Sequence, residues 1–236
     1  MGLEKRVEAN ELMDTSALTG RETRQALRFL ARTAKWFGGT SLFIRQFEEW
    51  SKRWEPGRTV TILDAGTGGG DIPLALAEWA SRRGLKLAIT GLELVPEIAD
   101  LARQRTAKFP EIGIVTGDLF QFSRSDVRFD YVTASLFLHH MPGTRAADAL
   151  REFGRLAARG ILVGDLDRSR PSLVAVTAAA WILGNRIVRH DGPLSVRRSF
   201  TLRELDIMAR NAGLPWLTAL HQPWFRVSLA GERSHA

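Results

Sequence analysis

A chain of 236 residues can bury a full core as one domain with a modest elaboration. Its 44% apolar and 25% charged residues are ordinary for a globular protein, and the lack of cysteine excludes disulfides, thiolate metal sites and a cysteine nucleophile together. A net charge of +7 raises nucleic acid as a partner, but the excess is arginine scattered along the chain with no lysine-rich run or basic tail, which argues against it. With no charged-then-apolar leader at the start, a cytoplasmic protein is the expectation.

Residues 1–19 are polar and read as an arm. From Arg21 a helix is predicted, with Leu27, Leu30, Ala31, Ala34 and Phe37 at helical spacing and Gly38-Gly39 as its stop. A second helix carries Phe43, Phe47, Trp50 and Trp54 on one face and ends at Pro56-Gly57. Such aromatics suit a core; as a lid over a cleft, the same helices would offer Trp36, Phe37 and Phe43 to a substrate. Residues 1–58 are therefore set apart as an N-terminal helical lid or arm, and 59–236 as the main domain.

The most informative stretch runs from Thr59 to Ala77. Val60 to Leu63 is a short β-branched and apolar run suited to a buried parallel strand, ending at Asp64. The chain then turns through Gly66, Gly68 and Gly70, after which Asp71 can cap a helix and Pro73 fits its first turn. A dinucleotide fingerprint places its third glycine or alanine five residues after the first. Here that position is Asp71, an anion where a pyrophosphate would lie, which argues against NAD or FAD. No Gly-Lys-Ser/Thr follows, so the loop is not a phosphate-binding Walker loop.

Strands and helices then alternate. A helix over 72–82 leads to a strand over Leu87–Leu92, with Glu93 at its end, at the separation expected of a ribose-binding carboxylate. Pro96–Lys108 is helical, Ile112–Thr116 is a strand, and Gly117-Asp118-Leu119 follows it. Phe129–Ser135 is the fourth strand. In an open parallel sheet ligands lie outside the carboxyl ends of the strands, which places Ser135, Phe137, His139 and His140 at a cleft mouth. Thr144–Ala158 is an amphipathic helix ended by Gly160, and Ile161–Val163 is the fifth strand. Leu173–Leu183 is apolar but too short to span a bilayer. Arg186–Arg198 reads as a basic loop with a rigid Gly192-Pro193 turn that can close over the cleft. Thr201-x-x-Glu204 opens a capped helix, and the stretches Trp216–Leu220 and Phe225–Leu229 follow it.

Asp64-x-Gly66-x-Gly68-x-Gly70 resembles the cofactor loop of class I S-adenosylmethionine-dependent methyltransferases. The resemblance covers 59–166 in detail and the tail to 229 in outline. It implies a doubly wound, mostly parallel, seven-stranded Rossmann-like α/β sheet with N-terminal helices and a helical insertion, about 167–200, before the C-terminal hairpin. It also implies S-adenosyl-L-methionine as cofactor, held by Asp64, Ala65, Gly66, Thr67, Gly68, Asp71, Glu93, Leu94, Gly117, Asp118, Leu119 and Ser135. In that family Asp118 would accept from the adenine amino group while Leu119 packs on the ring.

A narrower likeness rests on Glu11-Leu-Met-Asp14, Leu136-Phe-Leu-His-His140 and His190-Asp-Gly-Pro-Leu-Ser-Val-Arg-Arg198. These resemble bacterial methyltransferases encoded beside polyketide synthases, which methylate phenolic hydroxyls. That implies a small-molecule acceptor, no metal, no membrane span, and a monomer or homodimer. The Asn/Asp-Pro-Pro-aromatic segment usual in nucleobase amine methylation is missing, which counts against base flipping. Among the five histidines, His139, His140 and His190 are the candidate bases. Phe37, Phe43, Phe137, Arg197 and Arg198 are the candidate acceptor contacts. Two rival readings stay open, an RNA or protein methyltransferase and a cofactor-binding cyclase or partner subunit that does not methylate.

Overall fold

In the computed structural model the chain is described over residues 3–12, 25 and 38–233. The helix expected from Arg21, with Trp36 and Phe37, lies outside these residues, as does Asp14. Helix α1 (Gly39–Ser51) is followed by β1 (Thr59–Ala65), α2 (Asp71–Arg83), β2 (Lys86–Glu93), α3 (Pro96–Thr106), β3 (Ile112–Thr116), the single turn α4 (Leu119–Phe122) and β4 (Phe129–Ser135). A 3₁₀ turn (Leu138–His140), α5 (Gly143–Leu156) and β5 (Ala157–Leu166) come next. The chain continues through α6 (Arg170–Leu183), α7 (Arg186–Arg198), α8 (Leu202–Asn211), β6 (Thr218–Gln222) and β7 (Arg226–Glu232).

The seven strands form one sheet in the order β3-β2-β1-β4-β5-β7-β6. All neighbours are parallel except β7, which runs antiparallel between β5 and β6. The order reverses between β1 and β4, so a crevice opens outside the carboxyl ends of those two strands. One face is covered by Leu42, Phe43, Phe47 and Trp50 of α1 with Ile72 and Leu76 of α2. The other is covered by Leu150 and Phe153 of α5 with Leu205 and Ala209 of α8. Both faces of β1, β4 and β5 are thus buried, as their unbroken apolar runs require.

Three expectations need correction. The fifth strand starts at Ala157, and Gly160 lies inside it rather than ending a helix; a Cβ there would meet the carbonyl oxygen of Gly231 at 2.9 Å and the Tyr131 ring at 3.0 Å. Phe43 is 1% exposed under the sheet, because α1 packs its aromatic face inward, with Trp50 stacked 4.9 Å from Tyr131. It is a core residue and not a cleft contact. Arg186–Arg198 is a helix, not a loop. The Asn185 side chain caps it by accepting from the Val188 N–H at 3.1 Å, and Pro193 is accommodated inside. Gly192, instead of turning the chain, lets α7 approach α6: a Cβ there would sit 3.3 Å from Val176 and 3.4 Å from Ala180.

Candidate functional site

The glycine loop crosses the carboxyl end of β1. Asp64 is 1% exposed and accepts from the hydroxyls of Thr67 (2.7 Å) and Thr133 (2.8 Å). Burial above all, with the nearby charges of Asp71 and Glu93, pushes its carboxyl up to about 7 despite those two bonds. Gly66, Gly68 and Gly70 all have positive φ, at 65°, 54° and 78°. Their surroundings differ. A Cβ on Gly66 would strike the Phe137 ring at 2.3 Å and one on Gly70 would press Thr106 at 3.1 Å, whereas one on Gly68 would meet nothing within 4 Å. Gly66 and Gly70 pack against protein; Gly68 fronts open space.

Glu93 ties the end of β2 to this loop, accepting from the Gly68 N–H at 2.9 Å and the Val95 N–H at 3.0 Å. Each carboxylate oxygen keeps a further lone pair for a ligand hydroxyl. Beside it Leu94 is 62% exposed. Asp118 caps α4 with Oδ1 alone, accepting from Phe120 (2.9 Å) and Gln121 (3.2 Å). Leu119 is buried against the core. Asp71 is the first residue of α2, not its cap, which is Gly70; its side chain pairs with Arg105 at 2.5 Å. Asp71 is answered by Arg105, which also donates to the Gly69 carbonyl at 2.6 Å, and Asp64 is buried, so Glu93 is the carboxylate that the open ledge at Gly68 offers to a ligand.

The state of Asp64 has a stability signature. Its folded pKa lies above the ordinary 3.8, so between about pH 4 and 7 the folded chain holds a proton that the unfolded chain has released. The stability this group contributes is complete below pH 4 and is lost as pH rises through 7. In ligand-free protein, Asp64→Asn should remove that part of the pH slope and leave the variant relatively more stable at pH 8. Denaturation midpoints across pH 4–8 measure this, and parallel profiles for both proteins would refute it.

A second cluster of polar side chains lies beyond β4. Leu136 has φ of 52°, sparsely populated for a branched residue, and its N–H donates to the Gly164 carbonyl at 2.8 Å. That turn throws Phe137 over Gly66 and starts the 3₁₀ turn. His139 is 2% exposed; its Nδ1 lies 2.6 Å from Asp165 Oδ1 at the end of β5, and its Nε2 lies 3.7 Å from Glu11 Oε1. Although burial opposes its charge, Asp165 is held below the usual carboxylate range by His139 and by the Leu166 N–H. His140 Nδ1 is 3.9 Å from Glu11 Oε2, and a third of its side chain is exposed.

Arg198, 5% exposed on α7, donates to the carbonyls of His139 (3.0 Å) and His140 (2.7 Å) and stands 3.7 Å from Glu11. The arm adds Arg6, which donates to His139 and Met141 carbonyls, and Leu12, whose N–H donates to Asp191 at 2.8 Å. Glu11, His139, His140 and Arg198, one or two residues from each segment of the narrower likeness, therefore meet at one place. Glu11, His139 and His140 bring a donor atom each within 4.8 Å of one another. With the Arg198 guanidinium already beside Glu11, an ionic hub describes them better than a metal centre.

Not every candidate arrives there. His190 is half-exposed on α7 and pairs with its neighbour Asp191 at 2.7 Å, outside the Glu11–His139–His140 cluster. Arg197 is half-buried, and its carbonyl accepts from Val7 N–H at 3.1 Å; only Arg198 reaches the histidine turn. Asp165 and Arg6 were missed. Asp165 carried the same signal as Glu93 and Asp118, an acid at a strand end, while nothing in the sequence singles out Arg6.

Residues 62–160 match the family profile described as a methyltransferase domain. The demethylmenaquinone methyltransferase of Staphylococcus epidermidis is 32% identical over 111 residues, 47% of this chain and 44% of that protein. The chain thus spans less than half the length of that curated relative. Magnesium protoporphyrin IX methyltransferase (ChlM) of Synechocystis PCC 6803, solved with bound SAH, superposes with a TM-score of 0.58 at 14% identity over 89% of this chain and 86% of that one. PigF with SAH gives 0.64 at 16% identity over 96% and 63%. With the glycine ledge, the strand-end acids and the sheet order already established, residues 62–160 match the methyltransferase domain family, and the chain has the fold of class I, S-adenosylmethionine-dependent methyltransferases.

Proposed function

We propose that the protein transfers a methyl group from S-adenosylmethionine to a small-molecule hydroxyl, of phenolic character. The observation that carries this reading is the histidine turn, with a part-exposed imidazole at the cleft mouth beside the glycine loop. When bound, the cofactor would supply an electrophilic methyl group whose transfer to the acceptor oxygen breaks the carbon–sulfur bond and would leave a neutral thioether. Glu93 would accept from ribose hydroxyls, Asp118 through Oδ2 from the adenine amino group, and Leu94 would cover the nucleoside.

The chain's further task is to remove a proton and align the oxygen. A phenol with a pKa of about 10 needs only modest help near pH 7. His140 is the candidate base because a third of its side chain is exposed. His139, locked on Asp165 and buried, orients the turn, and the proton taken by His140 is balanced by Glu11 and Asp165. A second reading is favoured by the likeness to demethylmenaquinone methyltransferase: a phenolate or quinol can also be methylated at ring carbon, with the same base.

A screen of phenols and hydroquinones with methyl-labelled cofactor tests both. Labelled product is expected, and its NMR spectrum separates O-methyl from ring C-methyl. Saturable cofactor binding with no transfer to any of these acceptors would overturn the acceptor assignment. Separately, Glu93→Ala should weaken cofactor binding by about 1–3 kcal/mol in calorimetry, the loss of a charged acceptor. Unchanged affinity would place the ribose elsewhere.

A further inference from the structure

Helix α6 is apolar on its outer side as well as on the side that packs inward. Its buried side, Ser172 and Ala180, faces the protein, and Val176 with Ala180 lies against Gly192 of α7. Its outer side carries Val174 (70% exposed), Trp181 (62%) and Ile182 (76%), with Ala178 also exposed. These four stand at i, i+4, i+7 and i+8, so they form one continuous stripe. Single exposed apolar residues need no explanation, but a stripe of them on one helix marks an interaction surface.

The charges around the stripe say what covers it. Arg170, Arg186 and Arg189 are exposed beside it, and the Arg189 guanidinium lies 5.3 Å over the Trp181 ring. From Arg168 to His190 there is no Asp or Glu, and the next acid, Asp191, is buried and paired. Two copies meeting through this face would bring their arginines together with no acid on the strip to answer them. An anionic lipid surface supplies the missing charge, accepts the apolar stripe below the headgroups, and suits a tryptophan at the interface. The helix lies on such a surface and does not cross it: 14 residues rise about 21 Å, short of the ~30 Å hydrocarbon core, and among the described residues no helix is long and apolar enough to span.

We propose that the α6–α7 hairpin is a peripheral membrane-binding surface that lays the Val174–Ile182 stripe into the headgroup region of an anionic bilayer. Because α7 also carries Arg198 onto the histidine turn, docking would set the acceptor end of the cleft beside the bilayer, a route for a lipophilic acceptor. Membrane binding itself does not depend on which acceptor is methylated.

Flotation of the full chain with phosphatidylglycerol/phosphatidylcholine vesicles, against phosphatidylcholine alone, tests this. Binding is expected to the anionic vesicles, weaker as salt rises. Trp181→Glu with Ile182→Glu should reduce it at least tenfold, and Arg186→Gln or Arg189→Gln by about fivefold each. Arg124→Gln with Arg128→Gln, exposed arginines elsewhere, should change it less than twofold. The proposal is overturned if anionic vesicles capture nothing, if the Arg124/Arg128 variant loses as much as the hairpin variants, or if sedimentation shows a dimer that Trp181→Glu dissociates.

Discussion

His140→Ala should lower turnover by about 10²–10⁴-fold, the usual loss on removing a general base, while leaving S-adenosylmethionine affinity close to that of the parent. The cofactor contacts assigned above, from Asp64 to Asp118, lie on other strand ends, so the two readouts separate chemistry from binding. The deficit should shrink as pH approaches the acceptor's own pKa of about 10, where solvent supplies the phenolate without help. His139→Ala tests the neighbouring role. It removes the partner that holds Asp165 ionised, so a buried carboxylate loses its imidazole and the fold is expected to be less stable as well as slower. His190→Ala should differ from both and keep near-parental turnover, since that side chain faces solvent on α7. If His140→Ala kept full activity at neutral pH, the base would not be on this turn.

Gly68→Val is expected to abolish cofactor binding while the fold survives by circular dichroism. The backbone at φ of 54° is unfavourable for a branched side chain, and the space its Cβ would enter is open in the protein alone. A valine there projects onto the ledge and not into the core, so its effect falls on the ligand. Gly66→Val is the informative contrast. Its Cβ would meet Phe137 at 2.3 Å, so it should destabilise the ligand-free protein measurably. Calorimetry with S-adenosylmethionine and thermal melts on both variants separate the two cases. Normal cofactor affinity in Gly68→Val would mean that the ligand does not cross this ledge.

The difference between those glycines could not be read from the chain alone. Asp64-x-Gly66-x-Gly68-x-Gly70 announces a backbone turning at positive φ, because only glycine takes that conformation cheaply, and this is a local property. Which glycine packs on Phe137 and which fronts open space depends on where the β4–α5 connection passes. The same division holds along the sheet. β1 to β4 were legible within about two residues because a buried parallel strand must be a short β-branched run, and the turn after it must carry Gly, Asp or Pro. The placement of Glu93 and Asp118 at strand ends followed from the same local signals.

Arg186–Arg198 failed as a loop for the opposite reason. Gly-Pro is a local signal for a turn, but packing of Gly192 on Val176 and the Asn185 cap outweighed it, and neither contact is visible in sequence spacing. The cluster of Glu11, His139, His140 and Arg198 was legible only as three separated fragments. Glu11, His139 and Arg198 are distant in the chain and come within 4 Å of one another only because α7 and the N-terminal arm fold back onto the turn after β4. Charge pairing across such distances leaves no periodicity to read. The sequence by itself determined the sheet, the glycine ledge and its acids, which arise from backbone rules acting over a few residues. Tertiary structure decided which histidine is buried on Asp165, which is one-third exposed beside Glu11 and which is half-exposed on α7, because burial belongs to the packing of elements that the chain does not place side by side.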